Sequence, residues 1–444
     1  MIFIITIQLN IFFLLNLIIN GLEESLEHEQ VHLSLGKDPR TMVVSWLNME
    51  EKGIPFSYKV MYYYKVGDGK RWSKTFYFKT FPKTSRFKLK FCTFGDSDTG
   101  KMFTINELKK SVKRGECQMI IHLGDIAYQL QRDNGFTGDD FMRKIEPIAA
   151  YVPYMVIVGN HEFDCHGFTH YNYRFAMPYD KNNADDVDHF YSFNIGLVNF
   201  IGLSSEIYGF YKLYGINPIK KQTKWFDKTL KSIEKYKKIR PWTITFFHRP
   251  IYCWHRFIPD ECNEYESSTL RVGHKKIPGL ERYLHKYNVD VVLNAHEHGY
   301  QRNYPIFNRT VYKYKNNIYH NSPATTYILS GAGGCNRCTP AIFNNSGSLP
   351  FAAKRTISVG YTQINVINKT HMKINQIDTE NKAIVDSFWI VKDLGFKMSR
   401  SKKSRRVKGK YAPYNGDQIY QYLEPSRLIK KCIQLYNISM YNEK

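Results

Sequence analysis

Five short runs of apolar, largely β-branched residues each lead straight into side chains able to ligate a metal ion. The runs are KLKFCTF (88–94), CQMIIHL (117–123), YMVIV (154–158), WTITFF (242–247) and VDVVLNA (289–295). They are followed by Gly95-Asp96, by Gly124-Asp125-Ile126-Ala127-Tyr128, by Gly159-Asn160-His161-Glu162, by His248-Arg249-Pro250 and by His296-Glu297-His298. Amphipathic stretches at 104–114, 139–150, 219–237 and 278–287 alternate with the runs and predict helices. This alternation predicts a layered α/β domain. In such a sheet the carboxyl ends of the strands converge on one edge, where ligands bind. The glycines before Asp96, Asp125 and Asn160 permit sharp exits from strand to loop.

Carboxylate, imidazole, phenolate and amide oxygen together suit a pair of hard to borderline transition-metal ions. A carboxylate can bridge two ions about 3.5–4 Å apart, a pair that clamps the attacking and leaving oxygens of phosphoryl displacement. The His-x-His spacing places both imidazoles on one face if that segment is extended. Each piece alone is weak, since Gly-Asp is a common turn and a single histidine at a strand end is usually structural. Five in a compatible order, each after an apolar run, point to a dinuclear site. No EF-hand, P-loop, GxSxG or HExxH pattern competes.

The ordered set GDSD, GDIAY, GNHE, FFHRP and AHEH resembles the metallophosphoesterase signature, and Tyr128 within GDIAY marks the purple acid phosphatase branch. EQVHLSL, WSKTFYFKT, HRPIYC, AHEHGYQRNYPIF, ILSGAGGC and VDSFWIV are similar to the larger, secreted animal form, so the likeness covers about residues 29–392. It implies an α+β two-domain chain, with a shortened fibronectin-III-like β-sandwich ahead of an α/β/β/α metallophosphoesterase sandwich. By motif, Asp96, Asp125, Tyr128 and His298 would hold Fe(III). Asp125, Asn160, His248 and His296 would hold a divalent ion (Zn2+, Fe2+ or Mn2+), with Asp125 bridging. Two cations would lower the pKa of bound water and supply a hydroxide for in-line attack. His161 and Asn160 would contact the phosphate, and His161 would protonate the leaving alkoxide, giving an acid optimum. His255 is either a further pocket residue or a surface histidine.

The implied function is a secreted acid phosphatase, a phosphoric monoester hydrolase. Its partners would be small phosphate monoesters or phosphorylated peptides, with a homodimer as its assembly. Two alternatives stand beside it. One is a secreted binding or antigenic homologue with an impaired site; the other is a metallophosphodiesterase, against which Tyr128 argues. The chain departs from the family pattern at Asp98, where glycine is usual, and at Gln301, where glutamate is usual. Asp98 either strains its loop or adds a third carboxylate, and the latter reads as solvated.

Ahead of the ligand block, residues 29–48 and 58–80 alternate around turns at 36–39 and at Gly67-Asp68-Gly69, which predicts strands and a hairpin. This module is short for a full sandwich, and a sandwich lacking central strands would expose an edge. Either it is rearranged or the gene model is incomplete. Residues 1–20 carry no charge and precede Gly21, so 1–21 read as a secretory signal, or else as an uncleaved anchor. Secretion or an endomembrane lumen fits eight cysteines and sequons at Asn308, Asn344, Asn368 and Asn437. Cys253/Cys262 and Cys335/Cys338 are close pairs; the second reads as a local disulfide or free thiols, since no other CxxC completes a zinc site.

The expected organisation is thus 1–21 signal, 22–84 β-module, 88–310 catalytic domain, 320–392 completing the sandwich, and 395–444 a basic tail. Lys+Arg of 63 against Asp+Glu of 40 give a net charge of +23, which suggests a polyanion binder. Yet window 397–410 holds eight basic residues and no acid, outside the recognised domains, and reads as a solvated tail. Specific nucleic-acid binding would need that charge on a folded, aromatic-laced face. Cleavage of the signal would leave no membrane span.

Overall fold

The computed structural model describes residues 29–36, 41–46, 52–55, 60–100, 102–179, 187–252, 269–274, 276–335, 351–398 and 405–408. The signal segment, Cys253, Cys262, Cys338, Cys432, His255, Asn344, Asn437 and most of the basic tail lie outside them.

Two seven-stranded mixed sheets form the body. In the first, the order is Ala352–Thr356, Tyr300–Asn303, Thr326–Ser330, Val291–Asn294, Trp242–Phe246, Val198–Gly202 and Tyr191–Ile195. In the second it is Ile318–His320, Ala383–Val391, His371–Asp378, Gly360–Val366, Leu89–Phe94, Ile120–His122 and Tyr154–Val156. All five sequence runs become strands, and these are parallel where they neighbour one another. They are fully buried, apart from the half-buried Lys90, as parallel strands covered on both faces must be.

The sheets pack face to face. Phe91 meets Phe200 edge-on at 5.2 Å, and Thr362 Oγ1 donates to Ser330 Oγ at 2.9 Å across the interface. Helices Phe103–Lys113, Phe136–Ala149, Asn217–Glu234 and Glu281–Lys286 match the four predicted stretches to within a few residues. No helix among the described residues is long and apolar enough to cross a membrane.

The N-terminal strands form a three-stranded sheet (His32–Leu35, Thr41–Ser45, Lys52–Pro55) and a hairpin (Met61–Tyr64 with Phe76–Lys79). This module covers an edge of the body. Leu33 bridges Pro153 beside the outermost strand of the second sheet, and Tyr64 Oη donates to the Ala150 carbonyl at 2.8 Å. Part of the basic window is also ordered by pairing, because Arg405–Lys408 runs antiparallel to Thr310–Lys313. A solvated run would leave that strand's edge open; the extended chain closes it instead.

Cys92 and Cys117, both fully buried, form a disulfide that ties the Leu89–Phe94 strand to the residues just before Ile120. Cys165 and Cys335 are disulfide-bonded as well. Proximity in sequence did not signal the Cys92–Cys117 pair, which the parallel pairing of two strands brings together.

Two buried histidines make the fold acid-sensitive. His122 stacks on Phe94 and lies 2.9 Å from Tyr154 Oη, and His189 lies 2.6 Å from Asn172 Oδ1 among aromatic rings. Burial pushes both imidazoles down to about 3. The unfolded chain takes up these protons below about pH 6.5, whereas the folded chain does so only near pH 3. Their contribution is therefore complete above 6.5 and is lost as pH falls. At pH 5 the loss is on the order of 2 kcal/mol per histidine. With a chelator present, His189→Gln should lose less stability than the parent between pH 7 and 5, as read from urea midpoints; the same pH dependence in both proteins would contradict this.

Candidate metal centre

The seven expected ligands come together at the carboxyl ends of the central strands, on both sides of the sheet-to-sheet interface. Asp96 follows Leu89–Phe94, Asp125 and Tyr128 follow Ile120–His122, Asn160 opens a short 3-10 turn after Tyr154–Val156, His248 follows Trp242–Phe246, and His296 and His298 follow Val291–Asn294.

The turns are not made as the glycines suggested. Asp96 (φ 59°), Asp125 (φ 52°), Tyr128 (φ 47°) and His296 (φ 74°) take the left-handed conformation themselves. Strain of this kind persists only where the surroundings enforce it. Gly124 shares that conformation, but Gly159 is extended, and it is needed because a Cβ there would sit 2.3 Å from Asp125 Oδ1. Nor is His-x-His an extended segment with one face. The left-handed turn at His296 breaks the alternation and sends the two imidazoles to different lobes of the site.

In one lobe His248 Nε2 lies 3.3 Å from Asp125 Oδ1, 3.2 Å from Asn160 Oδ1 and 3.2 Å from His296 Nδ1. One donor atom each from Asp125, His248 and His296 fall within 4.8 Å of one another. In the other lobe the Tyr128 hydroxyl donates to Asp96 Oδ1 at 3.2 Å and lies 2.8 Å from His298 Nε2, with His298 Nε2 3.7 Å from Asp96 Oδ1. His161 stands at the open side, its side chain 35% exposed and its Nε2 3.9 Å from Asp125 Oδ2. Its ring lies 4.7 Å from that of Tyr128, and its Nδ1 has no hydrogen-bond partner among the described residues.

This set fits a cation. His248 Nδ1 is 2.7 Å from the Leu123 carbonyl, which can only accept, so the ring proton is there and the neutral ring turns a lone pair on Nε2 toward the oxygens of Asp125 and Asn160. Lone pairs converging without a hydrogen between them require a positive charge. In the protein alone a proton supplies it: burial opposes charging His248, yet Asp125 beside it carries the imidazole up to about 9. Burial acts to raise Asp125, but His248 and His161 hold it well below the usual carboxylate range. Burial, with Asp125 adding and His248 opposing, pushes Asp96 up to about 7. Burial and the neighbouring carboxylates Asp96 and Asp125 raise Tyr128 well above 10. A metal ion would replace these protons.

Asp98 is not the solvated carboxylate expected from sequence. It is 5% exposed, and its Oδ1 accepts the Gly100 N–H at 2.7 Å, closing a local turn. Its φ is not positive, so the absent glycine strains nothing. Gln301 is buried, and its side-chain amide donates to Asn303 Oδ1 at 2.7 Å. Sequence reasoning overlooked two contributors. The Leu123 carbonyl that orients His248 has no sequence signal. Glu162 does, as the fourth residue of GNHE, and its carboxylate accepts three backbone N–H groups at the site.

The chain is similar to several known proteins. Residues 89–300 match the calcineurin-like phosphoesterase family, and 324–387 match the iron/zinc purple acid phosphatase-like protein C family. The chain is 36% identical over 339 residues to acid phosphatase type 7 of Homo sapiens, covering 76% of this chain and 75% of that one. It is 28% identical over 357 residues to Fe(3+)-Zn(2+) purple acid phosphatase 12 of Arabidopsis thaliana, covering 74% and 68%. Among solved structures, a purple acid phosphatase from yellow lupin (Lupinus luteus) seeds superposes with a TM-score of 0.68 at 19% identity, over 83% of this chain and 75% of that one. That last likeness concerns the fold alone.

Proposed function

Because the chain belongs to the purple acid phosphatases of the calcineurin-like phosphoesterase family, we propose that it is an acid phosphatase hydrolysing phosphate monoesters at a dinuclear metal centre. Family membership brings phosphatase activity and a metal cofactor; the identities that follow are our reading. The observation that carries it is the convergence of acceptor atoms from five strand ends around His248 Nε2 and Tyr128 Oη.

Asp96, Asp125, Tyr128 and His298 would hold Fe(III), and Asp125, Asn160, His248 and His296 a divalent ion. The name of the Arabidopsis relative supports an iron–zinc pair. Bound there, the ions supply charge neutralisation of the phosphate and an activated water. The protein's own groups do the rest. Asn160 and His161 face the open side and orient the ester. His161 protonates the departing alkoxide. Burial keeps its pKa below the usual 6.5, against the pull of Asp125, so its protonated fraction grows as pH falls and activity is favoured in acid.

The buried Cys92–Cys117 disulfide supports a non-reducing compartment, in line with a signal at 1–21. Asn308 and Asn368 are exposed and open to glycosylation. Residues 22–84 are read as a shortened fibronectin-III-like module, with 88–310 and 320–392 building the catalytic sandwich. The impaired-homologue reading loses its main support, because Asp98 is absorbed by a turn.

The full chain should carry two metal ions, show a broad visible band from the Tyr128 phenolate, and cleave a chromogenic phosphate monoester fastest below neutrality when assayed across roughly pH 4–8. A colourless, metal-free and inactive preparation would sink the proposal. His161→Asn should lower kcat by about 10²–10³-fold on alkyl phosphates, and less on aryl phosphates whose leaving group needs no proton.

A further inference from the structure

We propose that Glu162 is a positioning residue that sets the metal affinity of the centre by clamping the Asp125 turn to the Asn160–His161 segment. The inference rests on the metal-centre reading above.

The turn it holds is unusual. Asp125 (φ 52°), Ala127 (φ 61°), Tyr128 (φ 47°) and Gln129 (φ 84°) all adopt left-handed backbone without being glycine. Two of these four are expected ligands. A run of this kind has no local reason to hold its shape, so something outside it must.

Glu162 is the contact in the right place. It is fully buried at the end of the Asn160–Glu162 turn. Its Oε2 accepts the Asp125 N–H at 2.8 Å and the Gly159 N–H at 2.7 Å, while its Oε1 accepts the Ile126 N–H at 2.7 Å. The other loop reciprocates, since Asp125 Oδ1 accepts the His161 N–H at 3.0 Å. Each loop thus anchors its carboxylate on the other loop's amides. Asp125, the expected bridging ligand, and Asn160, an expected ligand of the divalent ion, are thereby tied to each other.

The chemistry of the clamp requires a full-length carboxylate. Three N–H donors need acceptors on both oxygens. A glutamine keeps the length but turns its NH2 group toward either Ile126 or the other two amides, donor against donor. An aspartate keeps the charge but is one methylene short.

The test compares Glu162→Gln and Glu162→Asp with the parent. Zinc and manganese affinities of the chelator-stripped proteins are measured by calorimetry, alongside their thermal midpoints. Positioning predicts that both variants lose metal affinity by about 10–100-fold, the range typical of groups that orient ligands, with the visible band of the iron-loaded protein shifted or weakened. If the negative charge alone mattered, only the glutamine variant would lose affinity, and the proposal would be overturned. Parental affinity in both variants would overturn it as well. If the glutamine variant fails to fold, the aspartate variant alone decides by the same criterion. A parent that binds no metal would instead overturn the metal-centre reading on which this one depends.

Discussion

Asp125→Asn is expected to abolish stable metal binding and to lower kcat/KM by about 10³–10⁴-fold or more, equivalent to the several kcal/mol of transition-state stabilisation that a metal pair provides. The residue has no substitute in its position. Its Oδ1 lies 3.3 Å from His248 Nε2 and accepts the His161 N–H at 3.0 Å, and its Oδ2 faces His161. Asparagine retains the shape and one acceptor, but it turns an NH2 group toward a neighbour and removes the charge beside His248 and His161. His248 would then lose the partner that carries its imidazole up to about 9. Metal analysis by mass spectrometry should show fewer than two ions per chain. A variant keeping two metals and more than about a tenth of the parental rate would count against Asp125 as the shared ligand.

The largest expected effect on stability lies outside the expected ligand set. Asp386→Asn should cost about 3–5 kcal/mol, the usual penalty for breaking one partner out of a buried pair. Arg302 is in the first sheet and Asp386 in the second, each with a side chain 4% exposed. The guanidinium grips the carboxylate with two bonds, Nε to Oδ2 at 2.7 Å and Nη2 to Oδ1 at 3.0 Å. Its Nη1 donates to Tyr319 Oη at 2.6 Å, Tyr300 Oη donates to Asp386 Oδ2 at 2.8 Å, and the Phe388 ring lies 4.5 Å from the guanidinium carbon. Asparagine leaves an arginine charged, buried and half-satisfied between the sheets. Replacing both partners, Arg302→Met with Asp386→Leu, removes the orphaned charge and should cost less than the single change. Urea unfolding of the three proteins decides. Equal midpoints for parent and Asp386→Asn would show that the pair contributes nothing net.

Much of the body was legible along the chain because its elements are local. The five β-branched runs and four amphipathic stretches became strands and helices close to where periodicity placed them, since burial on both faces leaves a continuous apolar record. What failed was the reading of single residues. Gly159 serves close approach and not a turn, Asp98 closes a local hydrogen bond, and His296 and His298 go to opposite lobes because His296 itself adopts φ 74°. The Cys92–Cys117 bond and the strand formed by Arg405–Lys408 depend on which segments neighbour each other in a sheet. That pairing couples residues far apart in sequence and leaves no period behind.

The chain alone therefore gave the inventory and order of the candidate ligands: two carboxylates, a phenol, an amide and three imidazoles, each expected at the end of a strand. Strand ends converge by the geometry of an α/β sheet, so the order of motifs was enough to imply a site. The tertiary structure decided the division into two lobes, the orientation of His248 by the Leu123 carbonyl, and the contacts of Glu162 with the Asp125, Ile126 and Gly159 amides. These depend on left-handed backbone at individual residues and on contacts between separate loops. Such conformations are enforced by the surrounding packing, and no local propensity encodes them.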